Sequence, residues 1–138
     1  MRLWHQKLIP YLDRQRLLGQ HRECCALRGK GWGRKHSVVD YVFTYSPAHL
    51  YAYHLLIMKE MRRRGYKPDS TWSNISYRGA TLGYDKEWLD YDSFSQRLFR
   101  AASEDKDFII YNEHNSSYLK ECIDNLKEKG VEINYGKK

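Results

Sequence analysis

The sequence predicts an all-α fold, a small single-domain bundle of three to four helices with long loops. Three observations predict this fold class. Apolar residues recur at helical spacing, two stretches carry clear helix start and stop residues, and no two strand-like runs are present that would pair into a sheet. The 138 residues suffice for one domain with one core and are too few for two, so we expect one domain over residues 1–138.

The first predicted helix covers the stretch from Tyr11 to Arg28. At about 100° per residue, Glu23 falls almost opposite the apolar stripe of this helix, close to Arg16. Gly19 and Ala26 lie on the same outer side as Glu23, where small residues leave room for another backbone or a ligand. The stripe that we expect to face the core comprises Leu17, Leu18, His21, Cys24 and Cys25.

The second predicted helix has the strongest signals at its ends. Ser46 is a favoured N-cap residue, Pro47 suits the first helical position, and Gly65 provides the stop. Three arginines, residues 62–64, occupy the last turn, where cations complement the helix dipole. The apolar face expected on this helix comprises Leu50, Tyr53, His54, Ile57, Met58 and Met61.

Turn-forming residues over 67–85 predict a long ordered loop, and a short helix is expected between Tyr91 and Ala102. The stretch 107–115 resembles a brief strand but has no evident strand to pair with. The last predicted helix runs from about Ser117 to Lys129 and is stopped by Gly130. Helices therefore account for most of the predicted structure.

The charge of the chain favours a polyanionic partner. Lys and Arg number 24 against 17 Asp and Glu, a net charge of +7, which suits DNA, RNA or an acidic membrane surface. Three cysteines are a poor disulfide framework and are typical of a reducing compartment. The opening residues lack a signal-peptide core, and no apolar run is long enough for a membrane span. We expect a soluble cytoplasmic protein.

Metal, thiol and phosphate-loop chemistry are poorly matched by the sequence. A zinc set could be drawn from histidines and cysteines of residues 21–36, but adjacent cysteines on a helix are awkward joint ligands and no Cys-x2-Cys pair occurs. The run of glycines at 29–33 lacks the spacing of a phosphate-binding loop. We therefore expect no metal site and no cofactor. The residues of this possible zinc set are His21, Cys24, Cys25 and His36.

A basic stripe offers a better-supported function. Six cations lie within 20 residues, with Trp32 among them, which is the kind of set that contacts phosphates. A solvated charged face with no partner is an equally good interpretation of the stripe by itself. Its members are Arg16, Arg22, Arg28, Lys30, Arg34 and Lys35.

One acidic residue within the stripe gives the sequence a recognisable pattern. An Arg-Glu pair, Arg22 and Glu23, is preceded by Gln and Leu, and an Arg-Lys-His triplet at 34–36 follows about ten residues later. Arg2 comes directly after the first residue. In this order and spacing, the chain resembles the pyrimidine dimer DNA glycosylases, the family of phage endonuclease V. The likeness is clearest over residues 1–40, and the segment 109–130 resembles the bacterial branch.

The resemblance implies a small all-α, endonuclease V-like domain that removes damaged bases, by default pyrimidine dimers, and then nicks the strand as an AP lyase. The α-amine of the first residue, here Met1, would attack C1′ and form an imine, and Glu23 would assist proton transfer. Double-stranded DNA with damaged bases or abasic sites is the implied partner of a nucleoid-associated monomer. The implied DNA-binding residues are Arg2, Arg16, Arg22, Arg28, Lys30, Arg34, Lys35 and His36.

The chain also departs from the family pattern. Arg2 is too bulky for removal of the preceding methionine, so the nucleophile is expected to be the amine of Met1 itself. An arginine expected a few residues after Glu23 is Ala26, for which Arg28 is the candidate substitute. These departures bear on which lesion is processed. Three alternatives remain: a nucleic-acid-binding relative without this activity, a relative that acts on another lesion or on RNA, and a helical interaction protein.

Overall fold

The computed structural model describes residues 1–35 and 38–135, and in this part of the chain it is helical and contains no strand. The all-α prediction is confirmed, and the described residues form four α-helices. In chain order they are α1 (Arg14–Arg28), α2 (Pro47–Arg63), α3 (Asp92–Glu104) and α4 (Ser116–Glu128). Short 3₁₀ helices cover Gln6–Tyr11, Asp40–Thr44, Ser70–Ser73 and Lys86–Tyr91.

Helix α2 is the central element, since both α1 and α3 pack against it. Its start is as predicted: the Ser46 hydroxyl accepts a hydrogen bond from the Ala48 N–H at 3.3 Å, and Pro47 opens the helix. The backbone of Gly65, at φ +88°, follows the end of the helix. The whole predicted apolar face of α2 is buried in the core.

Helix α4 also confirms its prediction. The side chain of Asn115 accepts a hydrogen bond from the Tyr118 N–H at 2.9 Å, and Gly130 ends the helix region at φ +79°. Cys122 and Leu126 are buried on its inner face. Among the helices of the described residues, we find none with the length and apolar character needed to cross a membrane.

The face of α1 that was predicted to be buried is wrong, because the buried face is rotated about the helix axis relative to the predicted apolar stripe. Two polar residues, Gln20 and Arg28, are buried on this helix, whereas His21 and Cys25 are only half-buried on its flank. As a result, Glu23 lies at the edge of the buried face instead of almost opposite it. A pattern based on apolar residues treats Gln and Arg as surface residues, and they are buried here because partners satisfy their polar groups.

The segment 107–115 is not a strand, and the side chain of Gln6 shows why. Its carboxamide donates to the carbonyl of Phe108 at 2.7 Å and accepts from the N–H of Ile110 at 2.8 Å. One side chain thus satisfies the backbone groups that a neighbouring strand would otherwise pair with. His114, later in the same segment, is buried and accepts a hydrogen bond from the Gln6 N–H at 3.0 Å. We therefore interpret it as a structural residue.

The amino-terminal segment lies across the core and is held there by tyrosine hydroxyls. Tyr118 on α4 donates to the carbonyl of Leu3 at 2.7 Å, and Tyr53 on α2 donates to the carbonyl of Trp4 at 2.6 Å. Leu3 is fully buried, while Met1 is 46% exposed. The segment therefore enters the core at residue 3 and leaves its first residue at the surface.

Candidate active site

The structure brings the amino-terminal segment to the carboxylate of Glu23. The amide nitrogen of Gln20 donates to the Arg2 carbonyl at 2.9 Å and to Glu23 Oε2 at 3.1 Å. Because the Arg2 carbonyl oxygen and Glu23 Oε2 accept hydrogen bonds from the same nitrogen, they can be no farther apart than the sum of these two distances. Met1 precedes Arg2 directly and is exposed, so a primary amine and a carboxylate occupy the same part of the surface.

Two residues that hold this arrangement were not recognised as functional from the sequence. Gln20 is 1% exposed and Tyr53 is fully buried, and the Tyr53 hydroxyl, which lies 2.9 Å from Gln20 Oε1, shares its proton between that oxygen and the Trp4 carbonyl. A signal for Gln20 was present: it lies three residues after Leu17 and four before Cys24, both of which face the core. A polar side chain at such a position requires buried partners.

Arg2 contributes its main chain to this site, while its side chain is directed to α4. Its guanidinium lies 3.8 Å from Glu121 Oε1 and 5.5 Å from the centre of the Trp4 ring. The side chain is 21% exposed. The structure therefore places the Arg2 guanidinium between α4 and the Trp4 ring, where it is half-buried.

The other residues predicted to bind DNA differ in how far they are exposed. Arg16 is half-buried on α1, where it bonds Asp13 at 3.3 Å and Gln15 at 3.2 Å. The prediction for His36 lies outside the described residues. Four of the predicted DNA-binding cations are exposed on α1 and in the segment that follows it, namely Arg22, Lys30, Arg34 and Lys35.

Arg28 corrects the prediction that it contacts DNA, because its side chain is fully buried. Its guanidinium donates to three backbone carbonyls, those of Trp72 at 2.8 Å, Asn74 at 2.7 Å and Tyr77 at 3.1 Å. It also lies 4.7 Å from the centre of the Tyr51 ring. Burial lowers the pKa of Arg28 to about 10. This arginine fastens the loop after α2 to α1 and presents no charge to a ligand.

A second arginine completes the attachment of the loop predicted at 67–85. Arg78 donates to the carbonyls of Arg28 at 2.8 Å and Gly29 at 3.2 Å, and it pairs with Asp85 at 3.1 Å. Gly29 is required at this contact, since a Cβ there would lie 2.9 Å from the Arg78 carbonyl oxygen. The loop is thus packed tightly on the carboxyl end of α1.

Three potential metal ligands, His21, Cys25 and His54, lie with their donor atoms within 4.8 Å of one another. Arg28 lies 3.0 Å from His54 Nδ1, and a guanidinium can only donate, so the ring proton of neutral His54 lies on Nε2. That proton is directed at His21 Nδ1, 2.8 Å away. His54 Nε2 therefore has no lone pair for a metal.

Protonation agrees with this hydrogen-bonded arrangement. Burial, with the charge of Arg28 beside it, holds the pKa of His54 well below its usual range, so the ring is neutral. Burial also raises the pKa of Cys25 to about 11, which keeps its thiol protonated. A metal would need the thiolate and a free imidazole nitrogen. The three side chains fit a hydrogen-bond chain from Arg28 to His21 better than a metal site.

Comparison with known proteins identifies a family that the chain matches. A family model described as pyrimidine dimer DNA glycosylase matches residues 1–74. This range contains the amino-terminal segment, α1 and α2, and hence Met1, Gln20, Glu23 and Tyr53. No curated protein and no solved structure matches the chain.

Proposed function

Because the chain belongs to the pyrimidine dimer DNA glycosylase family, we propose that it is a DNA repair glycosylase with AP lyase activity that uses the amine of Met1 and the carboxylate of Glu23. The family implies a DNA substrate, with pyrimidine dimers and abasic sites in double-stranded DNA as the proposed targets. The observation that supports the two named groups is the Gln20 amide, which bonds both the Arg2 carbonyl and Glu23.

The proposed reaction starts with attack of the neutral amine on C1′ of the damaged nucleotide. The bond from C1′ to the base breaks, the base leaves with the bonding electrons, and loss of a proton from nitrogen with opening of the sugar gives an imine. Removal of a C2′ proton then expels the 3′ phosphate by β-elimination. An α-amine suits the first step because its reference pKa, about 7.7–8.0, lies below the value of about 10.4 for lysine.

Glu23 is proposed to act at two stages of this sequence. As a carboxylate beside the sugar, it stabilises positive charge that develops at C1′ when the base leaves. It then accepts a proton in the later steps, which requires a base positioned within hydrogen-bond reach. A negative group belongs in a basic surface for this reason: the cations bind phosphates while the carboxylate faces the sugar.

The exposed cations supply the proposed DNA interface. Arg22 lies one residue before Glu23, and Lys30, Arg34 and Lys35 follow in the turn after α1. Phosphate contacts of this kind position a duplex without selecting its sequence. We propose that the protein binds as a monomer without a cofactor and works in the cytoplasm at the nucleoid, where its substrate lies.

Borohydride trapping on abasic-site DNA tests the proposed function. We expect the untagged protein to form one covalent adduct with the duplex, because reduction converts the imine to a stable amine. Peptide mapping of the adduct should place the link on Met1. As a control, N-terminal acetylation should abolish the adduct. A link to a lysine would reject Met1 as the nucleophile, and binding without any adduct would support a nucleic-acid-binding relative that lacks the activity.

Replacing Arg22 with alanine should weaken DNA binding and reduce its dependence on salt. One lost phosphate contact changes the slope of log K against log salt by about one unit. Binding titrations at several salt concentrations measure this slope. The control is Arg97→Ala, which removes an exposed arginine from α3 and should leave the slope unchanged. An unaltered slope for Arg22→Ala would remove Arg22 from the interface.

A further inference from the structure

The side chain of Gln20 joins four groups from three parts of the chain. Its oxygen accepts from the Trp4 N–H at 2.6 Å and lies 2.9 Å from the Tyr53 hydroxyl, whose single proton is also directed at the Trp4 carbonyl, 2.6 Å away. Its nitrogen donates to the Arg2 carbonyl at 2.9 Å and to Glu23 Oε2 at 3.1 Å. The carboxamide therefore connects the amino-terminal segment, helix α2 and the carboxylate of Glu23 through contacts that are all short enough for hydrogen bonds.

Three of the four partners set the orientation of this carboxamide. The Trp4 N–H must meet its oxygen, and the two acceptors, the Arg2 carbonyl and Glu23, must meet its nitrogen, whereas the Tyr53 hydroxyl fits either end. Rotation of the amide by 180° would direct its NH2 group at the Trp4 N–H and its oxygen at the Glu23 carboxylate. Since the side chain is 1% exposed, water could not compensate either mismatch.

No other side chain of similar size provides the same contacts. Glutamate keeps the two acceptor contacts but replaces the donor by an oxygen, which faces the Arg2 carbonyl and the Glu23 carboxylate with like charge. Leucine fills the space and leaves the buried N–H of Trp4 without a partner. Glutamine at this position thus meets a requirement for one acceptor, which the Trp4 N–H needs, and for two donors, which the Arg2 carbonyl and Glu23 need.

The consequence concerns the distance between the amine and the carboxylate. Gln20 and Glu23 lie one turn apart on the same rigid helix, so the carboxylate is held relative to the Gln20 amide. The amide fixes residues 2 and 4 of the amino-terminal segment on either side of Leu3. Met1 is the next residue outward, so its amine is attached to a backbone whose position Gln20 sets.

We propose that Gln20 is a positioning residue for the imine-forming reaction, which holds the amine-bearing backbone and the Glu23 carboxylate in register. This inference rests on the proposed function. Reacting groups must be held near their productive geometry, and a displacement of about 1 Å can cost about 100-fold in rate. Gln20 acts through Met1 and Glu23 and need not touch the DNA.

Single-turnover trapping and steady-state cleavage of abasic-site DNA test this role in Gln20→Glu and Gln20→Leu. We expect both the trapping rate and kcat to fall about 10- to 100-fold with KM within twofold of the original value. Thermal melts establish that each variant is folded at the assay temperature. If Gln20→Leu is unfolded, Gln20→Glu decides, because it keeps the acceptor for Trp4 and Tyr53. The matched control is Gln15→Leu, at an exposed position of the same helix.

The results separate this inference from the proposed function. If the original protein forms no adduct, the proposed function fails. If it forms one and the folded Gln20 variants trap at the original rate, only the positioning role is overturned. A change in KM alone, with kcat unaltered, would also overturn it. So would a double variant whose fold-loss in rate equals the product of the fold-losses of the Gln20 variant and of Glu23→Gln. A double variant no slower than Glu23→Gln alone supports action through Glu23.

Discussion

Replacing Glu23 with glutamine is expected to slow strand cleavage about 10²- to 10⁴-fold, the usual contribution of a positioned acid–base group. Glutamine has nearly the shape of glutamate, and its oxygen can still accept the hydrogen bond from Gln20. The change therefore removes the charge and the proton acceptor while the local structure is kept. Single-turnover cleavage of abasic-site duplexes measures the rate, and binding titrations should give an unchanged Kd.

The control for this prediction is Glu113→Gln. Glu113 is an exposed glutamate that accepts a hydrogen bond from the Tyr45 hydroxyl, and its replacement should change neither rate nor affinity. Equal losses of cleavage and DNA binding in Glu23→Gln would contradict the catalytic role. They would instead identify Glu23 as a structural residue on which the shape of the DNA-binding surface depends.

Replacing Arg28 with methionine is expected to lower the free energy of unfolding by about 2–4 kcal/mol. Each buried polar group left without a partner costs about 1–3 kcal/mol, and this change removes the donors to three loop carbonyls and to His54. Relief of the cost of burying a guanidinium offsets part of the loss. Urea denaturation followed by circular dichroism measures the effect.

Arg22→Met is the matched control, because it makes the same chemical change at an exposed position on the same helix. We expect it to change stability by less than about 0.5 kcal/mol. Under conditions in which Arg28→Met is folded, its DNA binding should keep the original salt dependence, since Arg28 makes no phosphate contact. A flattened slope would return Arg28 to the DNA interface, and equal stabilities of the two variants would contradict its role in holding the loop.

The two helices with clear ends were predictable because their signals are local. Ser46 bonds the N–H two residues later and Asn115 the N–H three residues later, so each cap is specified within its own turn. The strand-like stretch 107–115 shows the limit of local pattern. Its backbone is satisfied by the side chain of Gln6, which lies 102 residues from Phe108 in the chain.

The candidate site was predicted unevenly for a related reason. The order and spacing of residues near the amino terminus indicate the family and single out Met1 and Glu23, and the matched range includes both. The prediction for Arg28 was wrong because its charge suggested a surface position. Gln20 was missed because a glutamine in a helix pattern gives no indication of what it bonds.

The sequence by itself determined where the helices lie, that the charge suits a polyanion, and which family the first half of the chain resembles. Only the tertiary structure decided which polar side chains are buried and which face outward. Gln20 meets Tyr53 across 33 residues, and Arg28 meets Tyr77 across 49. A polar group can be buried without a large cost only when hydrogen-bond partners, often distant in the chain, lie next to it. The residue pattern along one helix does not show where those partners lie.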